Sequence, residues 1–226
     1  MSRQREISVV SGPPGAGKTT TLLALTRAHP GIARFGVRDY ASRLASAGLP
    51  LGRQLNASIA ADKVPVELVV AEFGHFLDHL PPTCTTVVTD GYPRVGDECE
   101  DWHRTVRQRQ LRVRVVVLLS VARTTALRRA RRRGVCASCG LPADRTARAC
   151  GQCGHATTTR QDDTADRLTS RITHYEHGRR ELVSYFRDVC PVEEINAEGP
   201  AVDVRESLLS ALLQRTRPCD GHIAVQ

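Results

Sequence analysis

The sequence is poor in aromatic residues and has no long apolar run. Aromatic side chains make up 4% of the 226 residues, and none lies between Cys136 and Cys153, which counts against single-stranded nucleic-acid binding by base stacking. No apolar run approaches the roughly 18 residues of a membrane helix. The N-terminal segment lacks the apolar stretch and cleavage site of a secreted chain. These absences predict a cytoplasmic protein that makes no membrane contact.

Acidic residues are outnumbered, with 24 Asp and Glu against 32 Lys and Arg, and the net charge is +8. Such a balance favours anionic partners, which include nucleotides, nucleic acid and acidic surfaces. Part of the excess lies in one short segment that contains no acid: Arg128, Arg129, Arg131, Arg132 and Arg133. We therefore expect an anionic group near this segment.

Apolar runs alternate with segments of helical periodicity along the chain. Strands are predicted at 7–10, 33–37, 85–89, 113–121 and 192–195. Helices are predicted at 18–28, 39–47, 66–79, 97–109, 123–132, 162–186 and 200–213. Continuous apolar strands between helices indicate a parallel sheet covered on both faces, so the fold class is α/β.

The length allows one sizeable core with small insertions rather than two large domains. Two segments do not fit the alternation: 36–66, which has short helices and a turn at 48–52, and 134–160, which is rich in Gly and Cys. We expect both to form flaps beside a ligand site. The core is then predicted to comprise 1–35, 67–133 and 161–226.

The clearest motif is GPPGAGKT at positions 12–19, between a predicted strand and a predicted helix. This pattern and context are typical of a phosphate-binding loop, whose backbone N–H groups and helix N-terminus surround phosphate oxygens. Lys18 would contact the β and γ phosphates and Thr19 would hold Mg²⁺. The alternative is a simple glycine turn before a helix. The predicted nucleotide-binding residues are Gly12, Gly15, Ala16, Gly17, Lys18, Thr19 and Thr20.

Asp90 ends the predicted strand at 85–89 and is followed by Gly91, Tyr92, Pro93 and Arg94. An acid at the carboxyl end of a strand beside a phosphate loop typically supports Mg²⁺ through water. Asp90 is therefore the candidate magnesium acid, and a simple turn residue is the alternative.

Four of the eight cysteines form two CxxC pairs that ten residues separate: Cys136 and Cys139, then Cys150 and Cys153. In a cytosolic protein this spacing favours a metal site over disulfides. Four thiolates would form a closed tetrahedral site, so the zinc would be structural rather than catalytic. Free thiols or a redox pair are the alternative.

Together these motifs resemble the adenylate kinase family of nucleoside monophosphate kinases, which carry GPPGxGK and DGFPR segments at similar separation. Here the second segment is DGYPR, and the family's RxDD…R…Y pattern resembles Arg160, Asp162, Asp163, Arg171 and Tyr175. The resemblance covers nearly the whole chain. It implies a P-loop three-layer fold with a five-stranded parallel sheet, an acceptor-binding insertion and a zinc lid.

The resemblance also implies roles for the charged residues. Arg129 and Arg133 would lie on the donor side at the lid entrance, while Arg94, Arg160 and Arg171 would contact phosphates. Asp162 and Asp163 would pair with lid arginines when the lid closes. ATP, Mg²⁺ and structural Zn²⁺ are the implied cofactors, and a monomer is expected.

The acceptor pocket departs from the family pattern at three positions. Val37 and Ser42 stand where the family has a Thr and an Arg that contact AMP, and Glu98 replaces a Gln that reads adenine. Arg38 or Arg43 could compensate for the lost Arg. A Glu carboxylate only accepts hydrogen bonds, so an acceptor other than AMP is predicted. The predicted acceptor residues are Arg38, Asp39, Arg43, Val64, Arg94 and Glu98.

These patterns leave alternative functions open. The leading hypothesis is an ATP-dependent kinase of a nucleoside monophosphate. A kinase of a non-nucleotide molecule that bears a phosphate or phosphonate is the first alternative. The second is a nucleic-acid-binding ATPase that uses the cysteine pairs and the arginine-rich segment. A degenerate nucleotide-binding scaffold without turnover is a third.

Overall fold

The computed structural model describes residues 4–61, 63–136, 138, 142–151, 153–159 and 164–213. Five strands form one parallel sheet in the order β2-β3-β1-β4-β8. These strands are β1 (Glu6–Ser11), β2 (Ile32–Phe35), β3 (Thr86–Asp90), β4 (Arg112–Ser120) and β8 (Val192–Asn196). The predicted α/β class and five-stranded parallel sheet are confirmed.

Eight helices lie in the described part of the chain. They are α1 (Lys18–Ala28), α2 (Val37–Ser46), α3 (Pro50–Ala60), α4 (Val66–Asp78), α5 (Gly96–Gln108), α6 (Arg123–Arg132), α7 (Ala165–Phe186) and α8 (Ala201–Leu213). Within the described ranges, none of them is both long enough and apolar enough to cross a membrane.

Two apolar clusters cover the two faces of the sheet, because successive side chains of a strand point to opposite faces. Val116 and Leu118 of β4 belong to one cluster, whose aromatic centre includes Phe73 and Trp102. Val115, Val117 and Leu119 belong to the other cluster, which packs against α1 and α8. Each large apolar side chain that is fully buried contributes about 1.5–3 kcal/mol. The result is a sheet between two layers of helices.

The segment after β2 differs from the prediction in two ways. The strand ends at Phe35, because Gly36 is the N-cap of α2 and Val37 is already helical. A turn is present at Gly48, but the chain then forms the eleven-residue helix α3, with Pro50 at its first turn. Proline is well suited to that position because its missing N–H would have no partner there.

The cysteine-rich segment forms a second, smaller sheet. Its strands are β5 (Arg133–Cys136), β6 (Pro142–Asp144) and β7 (Thr157–Thr159), and β5 pairs antiparallel with both others. The sheet follows α6 directly. The boundaries predicted for the flaps and the core stay predictions.

Candidate active site

The phosphate-binding loop joins β1 to α1. Gly15 and Gly17 have φ values of 86° and 88°, a region that side chains other than glycine rarely adopt. A Cβ on Gly15 would also lie 2.3 Å from the backbone oxygen of Ala126. Lys18 Nζ donates to the backbone oxygen of Gly12 and to that of Pro13 at 3.1 Å. The loop therefore presents backbone N–H groups and one ammonium group at a helix N-terminus, where anions bind.

A cavity of about 550 Å³ opens beside this loop. From the loop side it is lined by Gly12, Pro14, Lys18 and Thr19. Gly15, Ala16, Gly17 and Thr20 are not among the described residues that line it.

Charged side chains dominate the cavity wall. Six of the described lining residues are cations: Lys18, Arg34, Arg38, Arg94, Arg133 and Arg171. Three are acids: Asp39, Asp90 and Glu98. The formal balance is therefore positive by three charges, which suits a ligand that carries several phosphates.

Asp90 lies at the end of β3, and Val10 of β1 is its partner in the sheet, so it is next to the phosphate loop. Its Oδ2 accepts a hydrogen bond of 2.6 Å from Arg34 Nη1, and Arg34 also donates to Asp39 Oδ2. Burial works against the charged form of Arg34, but Asp90 and Asp39 leave its pKa raised above the ordinary value. Carboxylate and hydroxyl oxygens are Mg²⁺ ligands, so Asp90 and Thr19 fit a magnesium ion on this side of the cavity.

The acceptor side of the cavity contains part of the predicted set. Val37, Arg38, Asp39 and Val64 line it, together with Ile59 of α3. The other predicted acceptor arginine, Arg43, instead lies over the ring of Tyr40, 5.1 Å from its centroid. Of the two arginines that could compensate for the absent one, the structure brings Arg38 to the cavity.

The side chain of Ser42 does not contribute a polar group to the cavity. Its hydroxyl donates to the backbone oxygen of Arg38 at 3.0 Å, on its own helix. Ser42 is not among the lining residues in the described part of the chain.

Glu98 and Arg94 form a paired unit where α5 begins. Glu98 Oε2 accepts from the backbone N–H of Arg94 at 2.7 Å, and Oε1 lies 3.6 Å from Arg94 Nη2. The Glu98 side chain is 15% exposed, whereas that of Arg94 is 53% exposed. The backbone bond therefore holds the carboxylate in place at the cavity wall.

The donor-side arginines differ in position. Arg133 and Arg171 line the cavity. Arg129 donates to the backbone oxygens of Ala197 (2.7 Å) and Glu198 (3.1 Å) and is not a lining residue in the described ranges. The residues predicted for phosphate contact and lid closure on the following segment lie outside the described residues: Arg160, Asp162 and Asp163.

Several wall residues were not among the predicted site residues, and they include Arg34, Ile59, Ser170 and His174. The signal for Arg34 was present, because an arginine inside a strand of a covered sheet needs an acidic partner. Ser170 and His174 flank the predicted Arg171 on α7. Tyr175 follows them in the wall, and burial raises its pKa to about 12.

The cysteine cluster is partly described. The sulfurs of Cys136, Cys150 and Cys153 all lie within 4.8 Å of one another, and Cys139 lies outside the described residues. Cys136 and Cys150 are buried, and the backbone N–H of Ser138 points at Cys136 Sγ at 3.4 Å. Tetrahedral zinc with Zn–S bonds of about 2.3 Å separates sulfurs by about 3.8 Å. The three thiols therefore fit a zinc ion.

Comparison with curated proteins gives the family. An adenylate kinase from Moorella thermoacetica is 30% identical over 206 residues, which cover 86% of this chain and 93% of that protein. The adenylate kinase from Desulforudis audaxviator is 28% identical over 211 residues, covering 90% and 98%. That from Symbiobacterium thermophilum is 27% identical over 212 residues.

The chain belongs to the adenylate kinase family. No protein-family model matches the sequence. Membership of the adenylate kinase family makes the chain an ATP-dependent phosphotransferase of the nucleoside monophosphate kinase type, with Mg²⁺ as the expected metal. The phosphate loop, the acid at the end of β3 and the cationic cavity agree with that chemistry.

Proposed function

We propose that the enzyme transfers the γ-phosphoryl group of ATP to a nucleoside monophosphate whose base presents hydrogen-bond donors, rather than to AMP. The observation that supports this proposal is Glu98, a carboxylate held at the cavity wall by the backbone of Arg94. Guanine presents an N1–H and an amino group side by side, whereas cytosine, like adenine, presents an amino group beside an acceptor nitrogen.

Adenine is a poorer partner for this carboxylate. It presents a donor and an acceptor side by side, and a carboxylate has only acceptors. One oxygen of Glu98 would therefore face a lone pair of adenine, and an unmatched polar contact of this kind costs about 1–3 kcal/mol. Val37 also lines the cavity, and its apolar side chain offers the acceptor no hydrogen bond.

The remaining wall residues position and neutralise the phosphates. Arg38 and Arg94 would bind the acceptor phosphate, and Lys18, Arg133 and Arg171 would bind the transferring phosphates. An acceptor phosphate oxygen is already anionic, so no general base is required. It attacks the γ-phosphorus while the bond to the bridging oxygen of ADP breaks, and the arginines stabilise the charge on the transferring group. Mg²⁺, held on the side of Thr19 and Asp90, would supply further charge neutralisation.

The two flaps would close this cavity. We assign residues 36–66 to acceptor binding and residues 134–160 to a lid in which zinc is held by Cys136, Cys139, Cys150 and Cys153. Arg129 would support the donor side through its bonds to the backbone at 197 and 198. Arg160, Asp162 and Asp163 keep their proposed roles in phosphate contact and lid closure.

The test is a coupled ADP-release assay with AMP, GMP, CMP, UMP and the deoxynucleoside monophosphates as acceptors. We expect GMP to be preferred, and Glu98→Gln to move preference toward AMP by about tenfold, equivalent to about 1.4 kcal/mol. Glu100→Gln is the matched control, because Glu100 lies exposed on the same helix.

Lys18→Ala should abolish turnover in this assay and leave the fold intact. ATP hydrolysis that no acceptor stimulates would contradict the kinase assignment. An acceptor profile that stays the same in Glu98→Gln would contradict the assignment of the base pocket.

A further inference from the structure

Arg34 is a buried cation that bridges two carboxylates in the cavity wall. Its side chain is 7% exposed, and those of its partners Asp39 and Asp90 are 15% and 5% exposed. The two terminal nitrogens are divided between the partners: Nη1 donates to Asp90 and Nη2 to Asp39. A guanidinium with its fixed fork suits such a double contact, whereas an ammonium group does not have this geometry.

The backbone brings the three side chains together from separate elements. β2 runs parallel to β3 with Phe35 opposite Thr89, so the carboxyl ends of the two strands are adjacent. Arg34 lies in β2, Asp90 ends β3, and Asp39 lies in the first turn of α2. The bridge therefore connects the acceptor helix to the edge of the sheet where magnesium is expected.

Gly36 provides the space for this bridge. A Cβ at this position would lie 2.6 Å from Arg34 Nη1 and 3.5 Å from Asp39 Oδ2. Its φ of −141° is open to any residue, so space rather than backbone conformation calls for glycine here. A larger residue would displace the guanidinium, which is the mobile end of a long side chain.

We propose that Arg34 is a positioning residue that ties the acceptor helix α2 to the metal-binding edge through Asp39 and Asp90. Its charge offsets one of the two carboxylates, so the pair does not capture a divalent cation before the nucleotide arrives. This inference rests on the roles proposed above for Asp39 and Asp90. Without Arg34, Asp39 and Asp90 would lose the cation that contacts both of them, and a divalent cation would be able to take its place between them.

The first test is a titration of the full chain with Mn²⁺ alone, without nucleotide, followed by calorimetry. We expect Arg34→Met to bind Mn²⁺ at least tenfold more tightly than the unchanged protein. Arg34→Lys keeps the charge and should stay within about threefold. Arg205→Met, which removes an exposed arginine from α8, is the control and should bind like the unchanged protein.

The second test distinguishes the positioning role of Arg34 from the effect of its positive charge. Arg34→Met and Arg34→Lys should both raise KM for the acceptor more than KM for ATP, because each loses the double contact that holds Asp39. If Arg34→Met does not fold, Gly36→Ala replaces it in this test, since it displaces the guanidinium and retains the charge. We expect Gly36→Ala to raise the acceptor KM about fivefold or more with little change in Tm.

Equal Mn²⁺ affinity in Arg34→Met and the unchanged protein would overturn the inference, as would an unchanged acceptor KM in all three variants. The Mn²⁺ titration needs no turnover. A chain without kinase activity whose Arg34→Met variant still gains Mn²⁺ affinity would therefore refute the proposed function and leave the charge-offsetting role standing.

Discussion

At the scale of single residues, Glu72 is a buried acid whose charged form is costly. It lies on α4, fully buried, and among the described residues no group makes a hydrogen bond of normal geometry with its carboxyl oxygens, although the backbone of Ala41 is close enough to act on them. Burial raises its pKa to about 9, and the charge of Asp39 adds to the shift, while the Ala41 backbone and Arg43 act in the opposite direction. Glu72 is therefore protonated in the folded protein at neutral pH.

This raised pKa gives stability a defined pH dependence. The unfolded value is 4.5, so the folded state binds the extra proton between pH 4.5 and about 9. The contribution of Glu72 to the free energy of unfolding is fully present below pH 4.5 and is lost as the pH rises through the pKa of the folded protein, about 9. We expect Glu72→Gln to raise the free energy of unfolding at pH 8 by several kcal/mol, since each pH unit above 4.5 costs the unchanged protein up to about 1.4 kcal/mol, and to change it little at pH 4.5.

Denaturant unfolding between pH 4.5 and 9 measures this difference, with Glu67→Gln as the control because Glu67 is exposed on the same helix. Parallel stability curves for Glu72→Gln and the unchanged protein would show that Glu72 does not titrate in this way.

At the scale of elements, the small sheet β5–β7 has almost no apolar side chains to hold it. We expect a zinc ion on the cysteine sulfurs to stabilise this sheet, since a structural zinc site contributes its binding free energy to folding. We expect Cys136→Ser to lose the bound zinc and to lower Tm by several degrees. Metal content by mass spectrometry and thermal unfolding measure the two effects.

Cys84→Ser is the matched control for this experiment, because Cys84 is buried in the main core and far from the cluster in sequence. It should lower Tm by lost packing and leave the zinc content unchanged. Unchanged zinc content in Cys136→Ser would contradict the lid assignment.

Helices and strands whose own residues show a regular apolar pattern were predicted well from the sequence. α1 and α6 begin and end where the periodicity predicts, and all five core strands lie within one or two residues of the predicted runs. α3 was missed because Gly48 and Gly52 favour a turn, and only packing against α2 decides for a helix there. The strands of the small sheet were missed because each is only three or four residues long and is defined by pairing with its neighbour rather than by an apolar pattern.

The site was predictable to the extent that a local motif defines it. The loop at 12–19 and Asp90 could be read from short patterns beside predicted strands. The contact between Arg34 and Asp90 could not be predicted, because the two residues are 56 positions apart and the contact depends on how β2 and β3 align. Arg38 and Arg43 could not be separated either, since the direction of each side chain depends on how α2 packs.

At the scale of the whole molecule, the chain carries a net charge of +8, and the cavity is positive as well: its described lining residues include six cations and three acids. Such a site attracts ATP electrostatically before contact. Salt weakens this attraction, because the screening length is only about 8 Å at physiological ionic strength and becomes shorter as salt is added. We therefore expect kcat/KM for ATP to fall several-fold between 0.05 M and 0.3 M KCl while Tm changes little.

Two arginines of the arginine-rich segment allow the effect of the general electrostatic attraction to be distinguished from the effect of a direct contact with phosphate. Arg133 lines the cavity, whereas Arg131 is exposed and is not among the described lining residues. We expect Arg133→Gln to lower kcat/KM for ATP by about tenfold to a hundredfold, because a hydrogen bond to a charged group contributes about 1.5–3 kcal/mol. Arg131→Gln removes the same charge and should cost less than threefold, with a loss that disappears at 0.3 M KCl. Equal losses in the two variants at high salt would mean that Arg133 acts only through the general field and makes no phosphate contact.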